Sequence, residues 1–319
     1  MWKIPIWVTW DVLQLAHLSA THRANDVTIV EGAVEQTQIQ ARFCYMDIVD
    51  LSLENVLVFV RSMNGDWMLN SKEVTDGSGR LTTHLKFPLA VGLYEMRMVV
   101  QGDRTFLNLS VAVVPRGTEC VVFSIDGSLT NSVSVTGRDP RVKPSAVDVV
   151  RFWQKQGYLI IYVTARPDMQ QRVVAHWLMR HNFPHGLLNF IQSISTDPLK
   201  QKAQILRQVV DDKLRICAAY GSAKDVSVYA SVGVESGRIF RCGSSRKRQD
   251  CVSLDEDGYS RHVHELLSGE VSIARPAGGT TEGEAINLFV QQQRERNDSF
   301  IPRCGKYHTV TSKSCDLKH

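Results

Sequence analysis

Between residues 27 and 114 apolar and polar side chains alternate with a period of two, in short runs broken by turn residues. Val27-Thr28-Ile29-Val30, Gln38-Ile39-Gln40-Ala41-Arg42-Phe43 and Tyr94-Glu95-Met96-Arg97-Met98-Val99-Val100 carry the pattern. Alternation of this kind puts successive side chains on opposite faces of a pleated strand, so that one face can meet a core. Thr105 through Val114 predicts one more alternating strand. Val56-Leu57-Val58-Phe59-Val60 is a continuous apolar run, expected of a strand buried on both faces. Asn64-Gly65-Asp66, Asp76-Gly77-Ser78-Gly79 and Gln101-Gly102-Asp103 supply turns between the runs. Short strands at this spacing predict a small all-β sandwich over 24–116.

Past residue 117 the period changes. Apolar strand candidates at 120–124, 159–163, 190–193, 216–220 and 238–241 alternate with helical patterns at 145–156, 167–181, 199–211 and 224–231. Pro144 and Gly157 punctuate the first of these helices as expected. The stripes Ala146, Val149, Val150, Trp153 and Met169, Val173, Val174, Trp177, Leu178 read as core-facing helix positions. The alternation predicts an α/β domain over 117–268, a parallel sheet with helices on both faces and ligands at the carboxyl ends of its strands. Residues 1–23, with Trp2, Trp7 and Trp10, read as a linker, and the Met-Trp start suggests a fragment or alternative product of a longer chain. Residues 269–319 lose periodicity and read as a disordered tail, with room for one polar helix at 285–296.

Composition narrows the function classes. A chain of 319 residues with 43% apolar side chains can bury an ordinary core in two domains. Its net charge of +4 does not support a dedicated nucleic-acid binder. No apolar run is long enough to span a bilayer, and no signal-peptide pattern opens the chain. Seven cysteines without a Cys-x-x-Cys pair fit a reduced, cytoplasmic compartment better than a disulfide framework or a zinc site.

The candidate chemistry lies in four segments of the α/β region. The first is Ser124-Ile125-Asp126-Gly127-Ser128, at the end of the first strand. The second, Val163-Thr164-Ala165-Arg166-Pro167, offers a hydroxyl and backbone N–H groups at the next strand end. In the third, Asp197-Pro198-Leu199-Lys200-Gln201-Lys202, a lysine near a helix start can neutralise a phosphate. The fourth, Tyr220-Gly221-Ser222-Ala223-Lys224-Asp225, carries an acidic residue just past a strand. Singly each has a plainer reading: a helix cap, a solvated lysine, a carboxylate favoured by a helix dipole. Arg166 is either a second phosphate contact or a helix-start residue pairing with a carboxylate.

In that order, over 118–243, the segments resemble the four motifs of the haloacid dehalogenase-like superfamily, and the domain reads as a Rossmannoid sheet of that kind. Gly221 through Phe240, with Asp225-Val226, Tyr229, Val232-Gly233-Val234 and Arg238-Ile239-Phe240, is similar to the lipin-type LNS2 domain. The β-domain followed by LNS2, with the first motif reading Phe123-Ser124-Ile125-Asp126-Gly127-Ser128, resembles the carboxy-terminal half of the membrane-associated phosphatidylinositol transfer proteins, the retinal degeneration B or Nir group. The resemblance implies a module that recognises phosphatidic acid and supports phosphatidylinositol transfer. It implies a cytoplasmic protein, peripheral at endomembranes or endoplasmic reticulum–plasma membrane contacts. It also implies a tyrosine kinase partner and attributed calcium binding. No EF-hand-like loop is present, and Asp255-Glu256-Asp257-Gly258 reads as a solvated acidic turn.

The departure from the superfamily pattern is at Ser124, where the resemblance places a nucleophilic, metal-binding aspartate. With Asp126 kept and Ser124 neutral, the expectation is a pseudophosphatase with no catalytic residue. Asp126, Gly127, Thr164 and Lys202 are expected to grip a phosphate, and Asp126 and Asp225 are the candidate ligands for an optional Mg or Ca ion. The alternatives are a residual Mg-dependent phosphatidate phosphatase, or a protein-binding scaffold for a tyrosine kinase. The basic residues Arg138, Arg141 and Lys143, and the run at 241–248, are surface candidates for an anionic leaflet.

Overall fold

The structure is a computed structural model. It describes residues 20–33, 37–131, 140–192, 197–211, 214–243, 250–254 and 259–270, together with the backbone of 304–306. The first 19 residues of the expected linker, the proposed helix at 285–296 and most of the expected tail lie outside the described residues.

The β-layer is one large sheet with a smaller layer over it. Strands β1 (Val27–Val30), β5 (Asn55–Arg61), β6 (Trp67–Val74), β8 (Gly92–Val100) and β9 (Thr105–Val114) pair in the order β1-β9-β8-β5-β6. Strands β2 (Ile39–Arg42) and β7 (Arg80–Thr83) pair separately, as do β3 (Cys44–Tyr45) and β4 (Val49–Asp50). The core between the layers takes alternate residues: Val56, Val58 and Val60, then Met96, Met98 and Val100, then Leu107, Leu109, Val111 and Val113. Two expectations for this region need correction. Val56–Val60 is buried on one face only, because Leu57 and Phe59 point to the half-exposed side of the sheet. Thr105–Val114, expected to alternate, is buried along its whole length. Ala112 and Val114 turn away from the sandwich core and pack, with Val30, Val91 and Leu93, against the second domain. A short strand, β16 (Cys304–Lys306), pairs antiparallel with β9 at Thr105–Leu107, so this part of the expected tail is ordered.

The second domain is an α/β unit whose sheet is parallel throughout. Its strands are β10 (Glu119–Ser124), β11 (Leu159–Pro167), β12 (Leu187–Ile191), β13 (Arg215–Gly221), β14 (Ile239–Cys242) and β15 (Val252–Leu254), ordered β12-β11-β10-β13-β14-β15. Helices α1 (Ala146–Lys155), α2 (Gln171–Arg180) and α5 (Tyr259–Ser268) cover one face, and α3 (Pro198–Asp211) and α4 (Asp225–Ser231) the other. The second expected helix is shorter than its pattern suggested. Pro167 still belongs to β11, and a 3-10 turn at Asp168–Gln170 precedes α2. The pattern did not predict β3, β4, β6, β7, β15, β16 or α5, and it placed at 190–193 the strand that runs Leu187–Ile191.

Residues 20–26 fasten the two domains together. Asp26 continues the β1 ladder by one position: its Oδ1 accepts the Ser110 N–H at 2.6 Å while its Oδ2 accepts the Leu188 N–H of β12 at 2.7 Å. Asn25 repeats the device, its amide exchanging bonds with the N–H and C=O of Phe190 at 2.8 and 2.9 Å. The exposed edge of β12 is thereby covered. Ala20, His22 and Arg23, inside the expected linker, are already buried, and Arg172 donates to the Ala20 carbonyl at 3.2 Å.

His22 carries a pH prediction. Its Nδ1 accepts the Cys44 N–H at 3.3 Å, so the proton sits on Nε2, 2.7 Å from Thr105 Oγ1. Burial pushes its pKa from 6.5 down to about 4, against the attraction of Asp103. Below pH 6.5 the unfolded chain takes a proton that the folded chain refuses. Stability is therefore full above that pH and falls as pH drops toward 4, by about 3 kcal/mol from this group. Urea unfolding at pH 7 and pH 4.5 will show a smaller drop for His22→Gln than for the native chain; an equal drop refutes the assignment.

Candidate functional site

The site forms where the chain reverses direction in the sheet. From β10 the chain builds outward through β11 and β12, then crosses back to lay β13 on the other side of β10. Such a switch point opens a crevice above the carboxyl ends of the strands. Ser124 ends β10, Thr164 lies near the end of β11, and Gly221 ends β13. Three stacked rings hold those ends at a fixed level: Phe123 on Tyr220 and Tyr220 on Phe240, each pair with centroids 4.7 Å apart. The Tyr220 hydroxyl is pinned in turn by Trp153 Nε1 and His262 Nε2, both at 2.8 Å. Burial lowers the pKa of His262 despite Glu265 beside it, which leaves Nε2 free to accept.

The loop after Ser124 is a tight turn. Asp126 (φ −76°, ψ 125°) and Gly127 (φ 75°, ψ −8°) have the angles of the two central residues of a type II turn, which needs glycine second. A side chain there would also crowd Ser222, whose Cβ stands 3.2 Å from where the Gly127 Cβ would be. The Gly127 N–H, expected to be free for a phosphate, donates to Thr130 Oγ1 at 3.1 Å. At Gly221 the constraint is closer still, because a Cβ would lie 2.5 Å from that of Asp225.

Two ion pairs fill the crevice at different depths. The inner one is sealed. Lys202, from α3, is 1% exposed and bonds the Asp225 carboxylate at the start of α4. Its Nζ also donates to Ser124 Oγ at 2.7 Å, and Ser124 is itself 2% exposed. The other Asp225 oxygen accepts from the N–H and the hydroxyl of Ser222, both at 2.8 Å. Burial alone would raise the Asp225 pKa; the Lys202 ammonium and the Ser222 donors outweigh it and hold the carboxyl below its ordinary range. The outer pair lies at the mouth. Arg166 Nε meets both Asp126 oxygens at 2.9 and 3.0 Å, and Thr164 Oγ1 donates to the same carboxylate at 2.8 Å. Thr164 also accepts the Arg166 N–H at 3.0 Å. The Arg166 and Asp126 side chains are 13% and 15% exposed, enough for solvent to reach them.

All the residues singled out from the sequence thus meet in one crevice: Ser124, Asp126, Gly127, Thr164, Lys202 and Asp225. The partners they find there are mostly each other. Arg166 takes the carboxylate-pairing role of its two readings. Ser222 stood within the fourth segment, but its role as a double donor to Asp225 was not read from it, and Thr130 was missed, since a lone hydroxyl in a loop carries no signal. Among the basic surface candidates, Arg241 is buried and donates to Ser253 Oγ at 2.7 Å, whereas Arg141 is exposed. Arg138, residues 244–249 and the acidic turn at 255–258 lie outside the described residues.

Comparison with known proteins agrees with both domains. The family model described as PITM 1-3, beta-sandwich domain matches residues 20–113, and that described as PITM 1-3, LNS2 domain matches residues 121–243. The chain is 46% identical over 303 residues to protein retinal degeneration B of Drosophila melanogaster, covering 91% of this chain and 24% of that protein. It is 45% identical over 278 residues to membrane-associated phosphatidylinositol transfer protein 1 of Rattus norvegicus, covering 83% and 22%. It is 45% identical over 263 residues to membrane-associated phosphatidylinositol transfer protein 3 of Mus musculus, covering 80% and 27%. The chain spans about a quarter of the length of these relatives. Among the described residues no helix is long and apolar enough to cross a membrane. With a β-sandwich and an LNS2 domain in the same order and at this identity, the chain belongs to the family of the membrane-associated phosphatidylinositol transfer proteins.

Proposed function

We propose that this chain is a non-catalytic, haloacid dehalogenase-like module that binds the phosphate of phosphatidic acid and so brings a phosphatidylinositol transfer protein to a membrane. The observation that carries this reading is Ser124 at the end of β10, its hydroxyl held by Lys202. Attack on phosphorus would need a base beside that hydroxyl. Ser124 has instead a lysine that donates to it and is committed to Asp225.

Charge supports binding without turnover. Lys202 and Arg166 oppose Asp225 and Asp126 one to one. An aspartate at position 124 would leave one buried negative charge in excess and would repel a phosphate. The donor set does not fit a divalent cation. Asp126 already takes a guanidinium fork and a hydroxyl, and Asp225 takes an ammonium and two serine donors, whereas Mg or Ca needs free hard oxygens. The outer pair is the exchangeable one. A phosphate monoester offers Arg166 the same two-oxygen edge as a carboxylate, with more charge. The incoming headgroup displaces Asp126 from Arg166 and takes the Thr164 hydroxyl, while the sealed Lys202–Asp225 pair stays in place below.

The test pairs vesicle sedimentation with phosphate release in the presence of Mg. The native chain is expected to bind phosphatidic acid vesicles in preference to phosphatidylserine vesicles of equal charge and to release no phosphate. Arg166→Gln should weaken binding about tenfold while leaving thermal unfolding close to native. Turnover by the native chain that Ser124→Ala abolishes would establish the phosphatase instead. Neither binding nor turnover would favour the kinase scaffold.

A further inference from the structure

The two most exposed large apolar side chains among the described residues of the β-layer, Ile48 and Leu53, lie close together in sequence, whereas Met63, Met68, Leu69 and Val74 are exposed on and beside β6. The β3–β4 hairpin and the turn after it carry Met46, Ile48, Val49 and Leu53, of which Ile48 is 79% and Leu53 73% exposed. We infer that this tip inserts into the acyl region of a bilayer as a second membrane contact, separate from the phosphate crevice.

Three observations carry the inference. The first is conformation. Met46 and Leu53 hold positive φ, at 48° and 57°, and Asp47 between them in the hairpin turn holds 65°. Glycine, with no Cβ, or asparagine, whose short polar side chain bonds the local backbone, fits that region, whereas leucine is strained there. An exposed leucine kept in a strained position contributes nothing to the core, so its use lies outside the fold. The second is charge. The two carboxylates of the hairpin are tied back to arginines of the body: Asp47 to Arg23 at 2.8 Å and Asp50 to Arg42 at 2.9 Å. Neither carboxylate of the hairpin would enter the bilayer unpaired, and Glu54, next to Leu53, lies back beside Gly102 of the β8–β9 turn. The third is what surrounds it. Tyr45, at the hairpin base, bonds Asp103 in the neighbouring β8–β9 turn, and the next residue of that turn, Arg104, is exposed. Apolar side chains exposed on a hairpin, with a basic residue in the neighbouring turn, suit an anionic bilayer rather than a small ligand, which needs a concave site. The choice of a bilayer over a protein rests on the lipid ligand proposed above.

The experiment uses the full chain carrying Ile48→Trp, with the native chain as the fluorescence blank, and vesicles of phosphatidylcholine with and without phosphatidic acid. Brominated acyl chains in the vesicles should quench the added tryptophan. The double variant Ile48→Ser, Leu53→Ser should bind vesicles roughly a hundredfold more weakly, about tenfold for each side chain withdrawn. Leu53→Gly is expected to raise the thermal midpoint while weakening vesicle binding, a split that a purely structural leucine would not give. Binding to phosphatidic acid vesicles without quenching, and without loss in the double variant, would overturn the insertion and leave the crevice standing. No vesicle binding by the native chain would overturn both. A tryptophan at 48 already blue-shifted without vesicles would show the tip covered, by residues 1–19 if the shift is independent of concentration and by a second copy if it is not. Either result would overturn the insertion.

Discussion

Lys202→Ala will destabilise the α/β domain by about 3–5 kcal/mol, before any question of ligand arises. The side chain is sealed from solvent, and its ammonium is the main partner of a carboxylate that is equally buried. Removing the lysine leaves Asp225 charged, dry and dependent on two serine donors. It also leaves Ser124 Oγ without the donor that now fixes it. For a domain whose whole stability is about 5–15 kcal/mol, that is a large fraction. The cycle with Lys202→Met, Asp225→Asn and the double variant separates pairing from packing. The double variant should recover most of the loss, since an amide at 225 can still accept from Ser222. Additive costs in urea unfolding would show that the pair is not coupled. Weak vesicle binding by Lys202→Ala would therefore say little about phosphate recognition, and the more exposed Arg166 is the better probe.

Asp26→Ala will cost about 3 kcal/mol and will loosen the join between the domains. One carboxylate now satisfies two buried backbone N–H groups, Ser110 in β9 and Leu188 in β12. Each orphaned buried donor costs about 1–3 kcal/mol, and Ser110 and Leu188 are both fully buried. Asp26→Asn keeps one acceptor and turns an amide N–H toward the other donor, so its cost should be similar or only slightly smaller. Amide hydrogen exchange is the direct readout. Ser110 and Leu188 should exchange much faster in the variant, while Met98 in the sandwich core changes little. Equal protection throughout would mean that neighbouring groups take over both bonds.

The sequence made the strands at 27–30, 105–114 and 120–124 legible because their sides face chemically different surroundings or their ends carry turn residues. It hid β6, whose Trp67, Met68, Leu69 and Val74 are half-exposed or exposed on an edge and so break the alternation. The candidate site was legible as a set of positions, since βαβ alternation brings all the strand ends to one rim. Their pairing was not, because whether Arg166 faces a phosphate or Asp126 depends on rotamers and depth, not on spacing. The hairpin tip was hidden for a different reason. Tyr45 through Leu53 has apolar pairs at 45–46 and 48–49 and fits neither a strand nor a helix period, and only the hairpin geometry separates buried Leu51 from exposed Ile48, Val49 and Leu53.

The Asp26 staple has a consequence for the order of events during synthesis. Its partner at Leu188 lies 162 residues further along the chain. While the ribosome is still making α1 and β11, the β-layer, which still lacks β16, must hold an unmatched carboxylate and the apolar face of Val30, Leu93, Ala112 and Val114 open to water. Contacts of such long range close late and slowly. The two domains are thus separate in sequence pattern but joined in folding: Asp26 finds its second partner only when β12, the third strand of the second domain in chain order and an edge of its sheet, has emerged to meet it.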